Sequence, residues 1–494
     1  MSVVSSPNPR SRVYVMTGTA GAGRLALALL ACVALAACAS QPKLGALPTP
    51  TSAAALAASQ SLTAPAADWP ADGWWRAYGD AQLDQLIETA LAGAPDMATA
   101  KARLAKAMAT ADTARADLLP SLSASGFVGQ NEQSLNALGF PPQFQQYLPK
   151  GFKPFGQAAL NFSYEIDFWG KNRAAVAAAT SDAQAAAADA AEARLTISTA
   201  VADSYADLAR LYAERDVTER SVASRQETLD LAARRVANGL DTQAELKQAA
   251  AGVPAARADL AALDEQIALT RNQLAALLGQ GPDSGLAIAR PAAAALKPFG
   301  LPSRLAADLV GRRPDLEAAR WRAEAAAKRI GVAKAAFYPN VNLTALAGYE
   351  SLGLSQLFTA NSQNGQYGAA ITLPIFQGGR LVADLHGARA DYDAAVASYD
   401  ATLVQALREV ADAAASQRAL GDRLTQSREA LADDEAAYKV ARLRYEGGLA
   451  NYQSVLLAED AVLQARRTVV DLEARAFSLD IQLIKALGGG FASA

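Results

Sequence analysis

The chain has 494 residues, 51% of them hydrophobic, with 46 basic and 49 acidic side chains and a formal charge of −3. That balance excludes the basic surface that nucleic-acid binding needs, and two cysteines and one histidine leave little material for thiol or imidazole catalysis or for a metal centre. Much of the apolar excess is alanine, the strongest helix former, and beyond residue 37 no stretch reaches the roughly 18 unbroken apolar residues of a membrane-spanning helix.

At the start of the chain, Arg10, Arg12 and Arg24 precede an apolar run from Leu25 to Ala37, too short for a bilayer span but suited to a signal-peptide core. The run ends in Leu35-Ala36-Ala37-Cys38, which resembles the bacterial lipoprotein processing box. Residues 1–37 are therefore expected to be removed and Cys38 to carry a covalent lipid; a small buried cysteine is the other reading. Met16 is an alternative start that leaves a more ordinary leader. Cys32 departs with the leader, so no disulfide is expected, and the loss of three arginines takes the charge from −3 to −6. Ala39, where an Asp would be linked with inner-membrane retention, points by the same resemblance to outer-membrane sorting.

After a segment at 38–80 that is expected to carry the lipid and form a small equatorial region, the chain repeats itself. Ala94-Pro95-Asp96-Met97 answers Arg313-Pro314-Asp315-Leu316 at an offset of 219, and Leu119-Pro120 answers Tyr338-Pro339. Beyond one loop the offset is 209: Gly170 pairs with Gly379, Arg235-x-x-x-Gly239-Leu240 with Arg444-x-x-x-Gly448-Leu449, and Gly279 with Gly488. Ordered anchors at a fixed offset indicate duplication. The first copy is read as 81–280, the linker as 281–302, the second copy as 303–488 and the tail as 489–494.

Each copy opens with a helical stretch, 83–118 and 303–337, and then the hydrophobic period changes from 3.6 to 2. Strands are expected near 121–130 and 157–168, and near 340–350 and 367–376. In the second, Leu160, Phe162, Tyr164, Ile166 and Phe168 alternate with Asn161, Ser163, Glu165 and Asp167. Long helices follow at 171–237 and 380–446, each roughly 100 Å at 1.5 Å per residue. Their returning mates, 241–279 and 450–487, carry seven-residue stripes such as Leu246, Val253, Leu260, Ile267 and Leu274, which predict coiled-coil hairpins. Pro254, in copy one alone, is expected to kink its helix.

Four strands of about ten residues are long enough to cross a membrane when tilted, but their two free edges would leave backbone groups unpaired in hydrocarbon. Oligomerisation follows if they span, with Asn161, Ser163, Glu165 and Asp167 lining the lumen. A soluble four-stranded sheet capping a helical rod is the other reading.

Trp69-Pro70 with Gly73-Trp74-Trp75-Arg76-x-Tyr78-Gly79-Asp80, Tyr164-Glu165-Ile166-Asp167-Phe168-Trp169-Gly170, and Arg312-Arg313-Pro314-Asp315-Leu316 continuing to Phe337-Tyr338-Pro339 complete a pattern. Taken in order, they make a chain that resembles the outer-membrane efflux protein family of TolC and OprM, in its NodT-type lipoprotein branch. The resemblance implies an α+β membrane protein: four transmembrane strands per protomer of a trimeric twelve-stranded barrel, a long periplasmic helical barrel of coiled-coil hairpins built from two tandem repeats, and a small equatorial region. It also implies a homotrimer in the bacterial outer membrane, in contact with outer-membrane lipid. Its partners would be a periplasmic adaptor (membrane fusion) protein and an inner-membrane resistance-nodulation-division transporter.

By that resemblance, the tips at Gly239, Leu240, Gly448 and Leu449 meet the adaptor and close the tunnel at rest; each glycine is in any case suited to a left-handed helix cap. Gate candidates are Arg235, Asp241, Glu245, Arg444, Glu446 and Tyr452, any of which is equally readable as a solvated helix-end charge or packing residue. The family places an acid six residues past the tip glycine. Here that is Glu245 in copy one but Ser454 in copy two, which puts an acidic ring in doubt. His386 lies on a helix and no phosphate loop is present, so no enzyme activity, metal or cofactor beyond the lipid is expected. The expected function is passive conduction of small toxic compounds. The competing readings are the outer-membrane duct of a type I protein or peptide secretion system, and a periplasmic structural lipoprotein that conducts nothing.

Overall fold

A computed structural model describes residues 42–493, save 133, 135–140, 142, 144–146, 148, 293–295, 297–298 and 303–304. Cys38 and the leader, residues 1–37, lie outside the described residues. The chain divides into two compact units. One holds Asp117–Ala174 and Ile330–Ala388 with the residues up to Gly45; the other holds Ala46–Ala116, Ala175–Arg329 and Arg389–Ala494.

In chain order the main elements are α1 (Ala81–Gly93), α2 (Pro95–Ala116), β1 (Ser121–Asn131), β2 (Lys153–Glu165), α3 (Lys171–Ala237), α4 (Gln243–Leu277), α5 (Pro314–Ala335), β3 (Asn340–Leu352), β4 (Gln363–Thr372), α6 (Arg380–Glu446) and α7 (Tyr452–Ala486). The stretch expected as one helix over 83–118 is two, because Pro95 forces Ala94 into extended backbone (ψ 132°) and then starts a new helix. Likewise 303–337 is a single turn, Leu305–Asp308, followed by α5 beginning at Pro314. Pro254 does not end its helix: α4 runs unbroken from Gln243 to Leu277.

In the strand-bearing unit, the sheet is antiparallel in the order β1-β2-β3-β4, so β1 and β4 each keep one unpaired edge. Strand β2 ends at Glu165, opposite Asn342, which leaves Asp167 outside the sheet. The alternation read along the sequence, which runs to Phe168, therefore outruns the strand by three residues.

The helical unit is built on two apolar clusters. One gathers Trp74, Trp75 and Tyr78 with Leu83, Ile87, Tyr205, Leu208, Leu274 and Phe477; the other sets Leu309 and Leu316 against Leu403, Val410 and Leu483. Gly488 carries positive φ, and a Cβ there would strike the carbonyl oxygen of Arg312, so a side chain is excluded where α7 ends.

Candidate functional site

The two helix-to-helix turns are built alike. At Gly239 (φ 72°), the Leu240 N–H donates to the Arg235 carbonyl at 2.9 Å; at Gly448 (φ 75°), the Leu449 N–H donates to the Arg444 carbonyl at 2.7 Å. The left-handed residue followed by a reaching-back N–H is a helix C-terminal motif in which glycine avoids a Cβ clash. It turns Leu240 and Leu449 outward, 63% and 73% exposed.

The side chains around the turns are unlike. Arg235 is buried and its Nε lies 2.8 Å from Asp241 Oδ2; its Nη1 donates to the Tyr445 carbonyl at 2.6 Å and to the Glu446 carbonyl at 3.4 Å. Its guanidinium stands over the Tyr445 ring, 4.5 Å from the centroid, and the Tyr445 hydroxyl donates to Asp241. Copy one is thereby fastened to the end of the long helix of copy two. Burial pushes the Asp241 carboxyl up, but hydrogen bonds from Arg235 and Tyr445 outweigh it and hold it below the usual range. Burial and the adjacent Asp241 carboxylate push the Tyr445 phenol upward. Under this network Ala232, Ala249, Tyr445, Tyr452 and Val455 form a small apolar cluster.

The corresponding residues of copy two lack the network. At the 209 offset Asp241 becomes Ala450 and Tyr445 answers Val236. Arg444 is exposed and borders a cavity of about 690 Å³ lined by Val440, Ala441, Leu449, Ala450, Asn451 and Ser454. Glu446 is exposed and accepts from Arg442 Nε at 3.1 Å.

Glu245 is engaged by its own helix. The Thr242 N–H donates to Glu245 Oε2 at 2.6 Å while the Ala244 N–H donates to Thr242 Oγ1 at 3.2 Å, a capping box that starts α4. The hydroxyl and amide of Thr242 hold the Glu245 carboxyl below the usual range. Copy two caps α7 differently: Asn451 Oδ1 accepts from the Ser454 N–H at 3.2 Å. The acid present in one copy and absent from the other thus follows the choice of cap.

In the sheet, directly opposed residues share a face, so the register decides what each face presents. On one face lie Ser121, Ser123, Asn161, Ser163, Glu165, Asn342, Thr344 and Gln366; Asn161 Nδ2 donates to Ser125 Oγ at 2.9 Å, and Lys171 pairs with Glu165 at 2.7 Å. On the other, Leu122 stands opposite Phe162, Phe162 opposite Ala345 and Ala345 opposite Tyr367, with Leu160, Leu343 and Ile371 on the same side. Leu122, Leu160, Tyr367 and Ile371 are 51–90% exposed, so among the described residues nothing covers these side chains of the apolar face. Asp167 is not part of the polar row: it accepts from the Arg173 N–H at 2.9 Å in the loop between β2 and α3.

Sequence reading missed two anchors. Tyr445 is one, since its partner lies 204 residues away. Arg313 is the other: 7% exposed, it pairs with Asp315 at 2.6 Å and Glu409 at 2.8 Å and donates to the Ala486 carbonyl at 3.0 Å. An arginine within Arg-Pro-Asp was visible, but its targets were not. Among the described residues no helix is long and apolar enough to cross a membrane, and no group of three or more His, Cys, Asp or Glu side chains is arranged to hold a metal ion. His386 is exposed on α6.

A family model described as outer membrane efflux protein matches residues 86–280 and 305–489. The fusaric acid resistance protein FusA of Burkholderia cepacia is 40% identical over 328 residues, covering 66% of this chain; the chain spans 61% of that relative's length. The multidrug resistance outer membrane protein MdtP of Escherichia coli is 32% identical over 435 residues, covering 86% of this chain and 88% of that protein. The crystal structure of the outer membrane protein VceC from Vibrio cholerae superposes with a TM-score of 0.80 at 44% identity, covering 86% of this chain and 100% of that one. A two-faced sheet with no cover for its apolar side has an explanation in these relatives: the chain belongs to the outer membrane efflux protein family and is an efflux channel that spans the outer membrane and extends into the periplasm.

Proposed function

We propose that three copies of this chain close a twelve-stranded barrel and act as the exit duct of a tripartite pump, passively passing small toxic compounds from a periplasmic adaptor and an inner-membrane resistance-nodulation-division transporter to the exterior. The observation that carries the reading is the sheet: one polar face, one exposed apolar face, and open edges on β1 and β4. In hydrocarbon each unpaired edge group costs several kcal/mol, so the edges must pair with those of other copies. The names of FusA and MdtP, which refer to resistance to fusaric acid and to multiple drugs, support toxic small molecules as cargo. Exposed Leu240 and Leu449 at the helix turns are the surfaces offered to an adaptor.

Cys38 carries the lipid in this reading. The segment after it is held along α6, where Arg389 donates to the Ala46 carbonyl at 2.6 Å, Tyr392 to the Pro48 carbonyl at 2.8 Å, and the Thr51 N–H to Asp400 at 2.8 Å.

The test is purification from outer membranes followed by mass measurement and planar-bilayer recording. A lipidated trimer with steady conductance, together with drug hypersensitivity on deletion, is the expected result. A non-conducting protein would leave only a structural role. A Gly448→Trp channel that fully restores resistance would remove the adaptor from the tip.

A further inference from the structure

Glu459 lies about two turns into α7 and is 3% exposed, yet it forms no ion pair among the described residues. Carboxylates are almost never so buried unless paired. The groups facing it come from three helices. From α3 come Ser224 and Arg225; from α6, Tyr438 and Arg442; from α7 itself, Tyr452 and Asp460. Each cation has another carboxylate as partner, although Arg225 Nε is buried without one. Arg225 donates to Asp460 at 2.8 Å, and Arg442 is shared between Glu227 and Glu446, each at 3.1 Å. What remains for Glu459 is the Ser224 hydroxyl, itself 3.0 Å from the Tyr438 hydroxyl, while Glu459 Oε1 has no hydrogen-bond partner. Helix α4 contributes Gly252 beside the Arg225 side chain.

Among the described residues this arrangement occurs once. At the 209 offset Glu459 answers Ala250, Tyr438 answers Leu229 and Ser224 answers Asp433. The buried carboxyl therefore bridges the first copy, through α3, to the α6–α7 hairpin of the second, close to the cluster that fastens the turns.

We propose that Glu459 is a proton-operated latch between the two copies of the repeat: protonated, it keeps α3, α6 and α7 closed on one another near the turns; ionised, it draws water between them. The protonated acid is neutral and sits in the chain of hydroxyls from Ser224 to Tyr438 without a charge to solvate. The carboxylate needs a donor for Oε1, and in this packing no described side chain reaches it, the unpartnered Arg225 Nε included. Water then enters, and entry requires the helices to part. Burial raises the affinity of this carboxyl for its proton, with Ser224 and Arg225 opposing. The closed packing is thus held in acid and loosens as pH rises through that raised value.

Hydrogen exchange of the full-length protein, corrected for the intrinsic pH dependence of exchange, tests this across about pH 5 to about pH 8. Amides of residues 222–230 and 436–446 should exchange about tenfold faster at the upper end, while amides of 267–277 hold constant. Glu459→Gln should stay protected throughout, and Ser224→Ala should move the midpoint upward. Flat exchange in the unsubstituted protein overturns the proposal without recourse to a variant. So does a Glu459→Gln or Glu459→Leu protein that keeps the full pH response. The readout does not depend on conductance, so it stands apart from the test of the transport reading.

Discussion

Arg235 donates to the main-chain carbonyl of Tyr445 at 2.6 Å, joining the end of one long helix to the end of its repeat counterpart. The arginine at the same place in copy two, Arg444, has Ala450 where Arg235 has Asp241, so copy two answers through the Tyr445 hydroxyl on Asp241 instead. Replacing Arg235 with Ala would strand a buried carboxylate, a loss of about 3 kcal/mol. Arg444→Ala removes an exposed charge and should cost under about 0.5 kcal/mol. Single-channel recording should accordingly show higher resting conductance for Arg235→Ala than for Arg444→Ala; equal conductance would mean that the Asp241 network has no part in closure.

Glu245 serves its own helix, so Glu245→Gln should leave conductance unchanged. Thr242→Ala should lower stability by about 1 kcal/mol, as loss of a cap does. Asn451→Ala should cost a similar amount in copy two. Thermal unfolding measures the stability term, and a large change in ion selectivity with Glu245→Gln would restore the acid to the pore.

Burial, and then the nearby Asp315 carboxylate, push the Glu192 carboxyl up to about 7 from an ordinary value near 4.5, with Arg313 and Lys485 opposing. The folded chain then binds this proton more tightly than the unfolded chain. Stability from this group is complete in acid and is lost as pH rises from about 4.5 through about 7, on the order of 3 kcal/mol at most. Glu192→Gln should flatten that slope in a plot of unfolding midpoint against pH, and an unchanged slope would assign it to other groups.

Gly488→Ala would drive a Cβ into the Arg312 carbonyl while also straining a backbone at φ 85°. The expected outcome is failure to assemble, read as loss of protein from the outer membrane. Gly368, with open space around it, should accept Ala with little change.

Much of this architecture is legible in the sequence because its signals are local. Alternation around Asn161 and Ser163 marks a strand, and Arg235-x-x-x-Gly239-Leu240 marks a helix end whose geometry glycine makes possible. Other features depend on partners distant in sequence. β2 stops at Glu165 because its pairing with β3 stops there, which nothing within Ile166–Phe168 reveals. Asp241 reads as a helix-end charge until Tyr445 is brought to it. Pro95 and Pro314 are a different case: the signal for a helix start was present and was overridden by the apolar period running through it.

Helices α3 and α6 are both 67 residues long, and α4 and α7 are both 35, whereas the connection from β1 to β2 is eleven residues longer than that from β3 to β4. Length variation is thus tolerated in one kind of connection and suppressed in the other. Adding a single residue to α3 alone would advance its turn by about 1.5 Å and rotate it by about 100°, carrying Arg235 away from Tyr445. The equality of the helices acts as a ruler: a lineage can lengthen this protein between its strands one residue at a time, but between its turns only by matched changes in both copies.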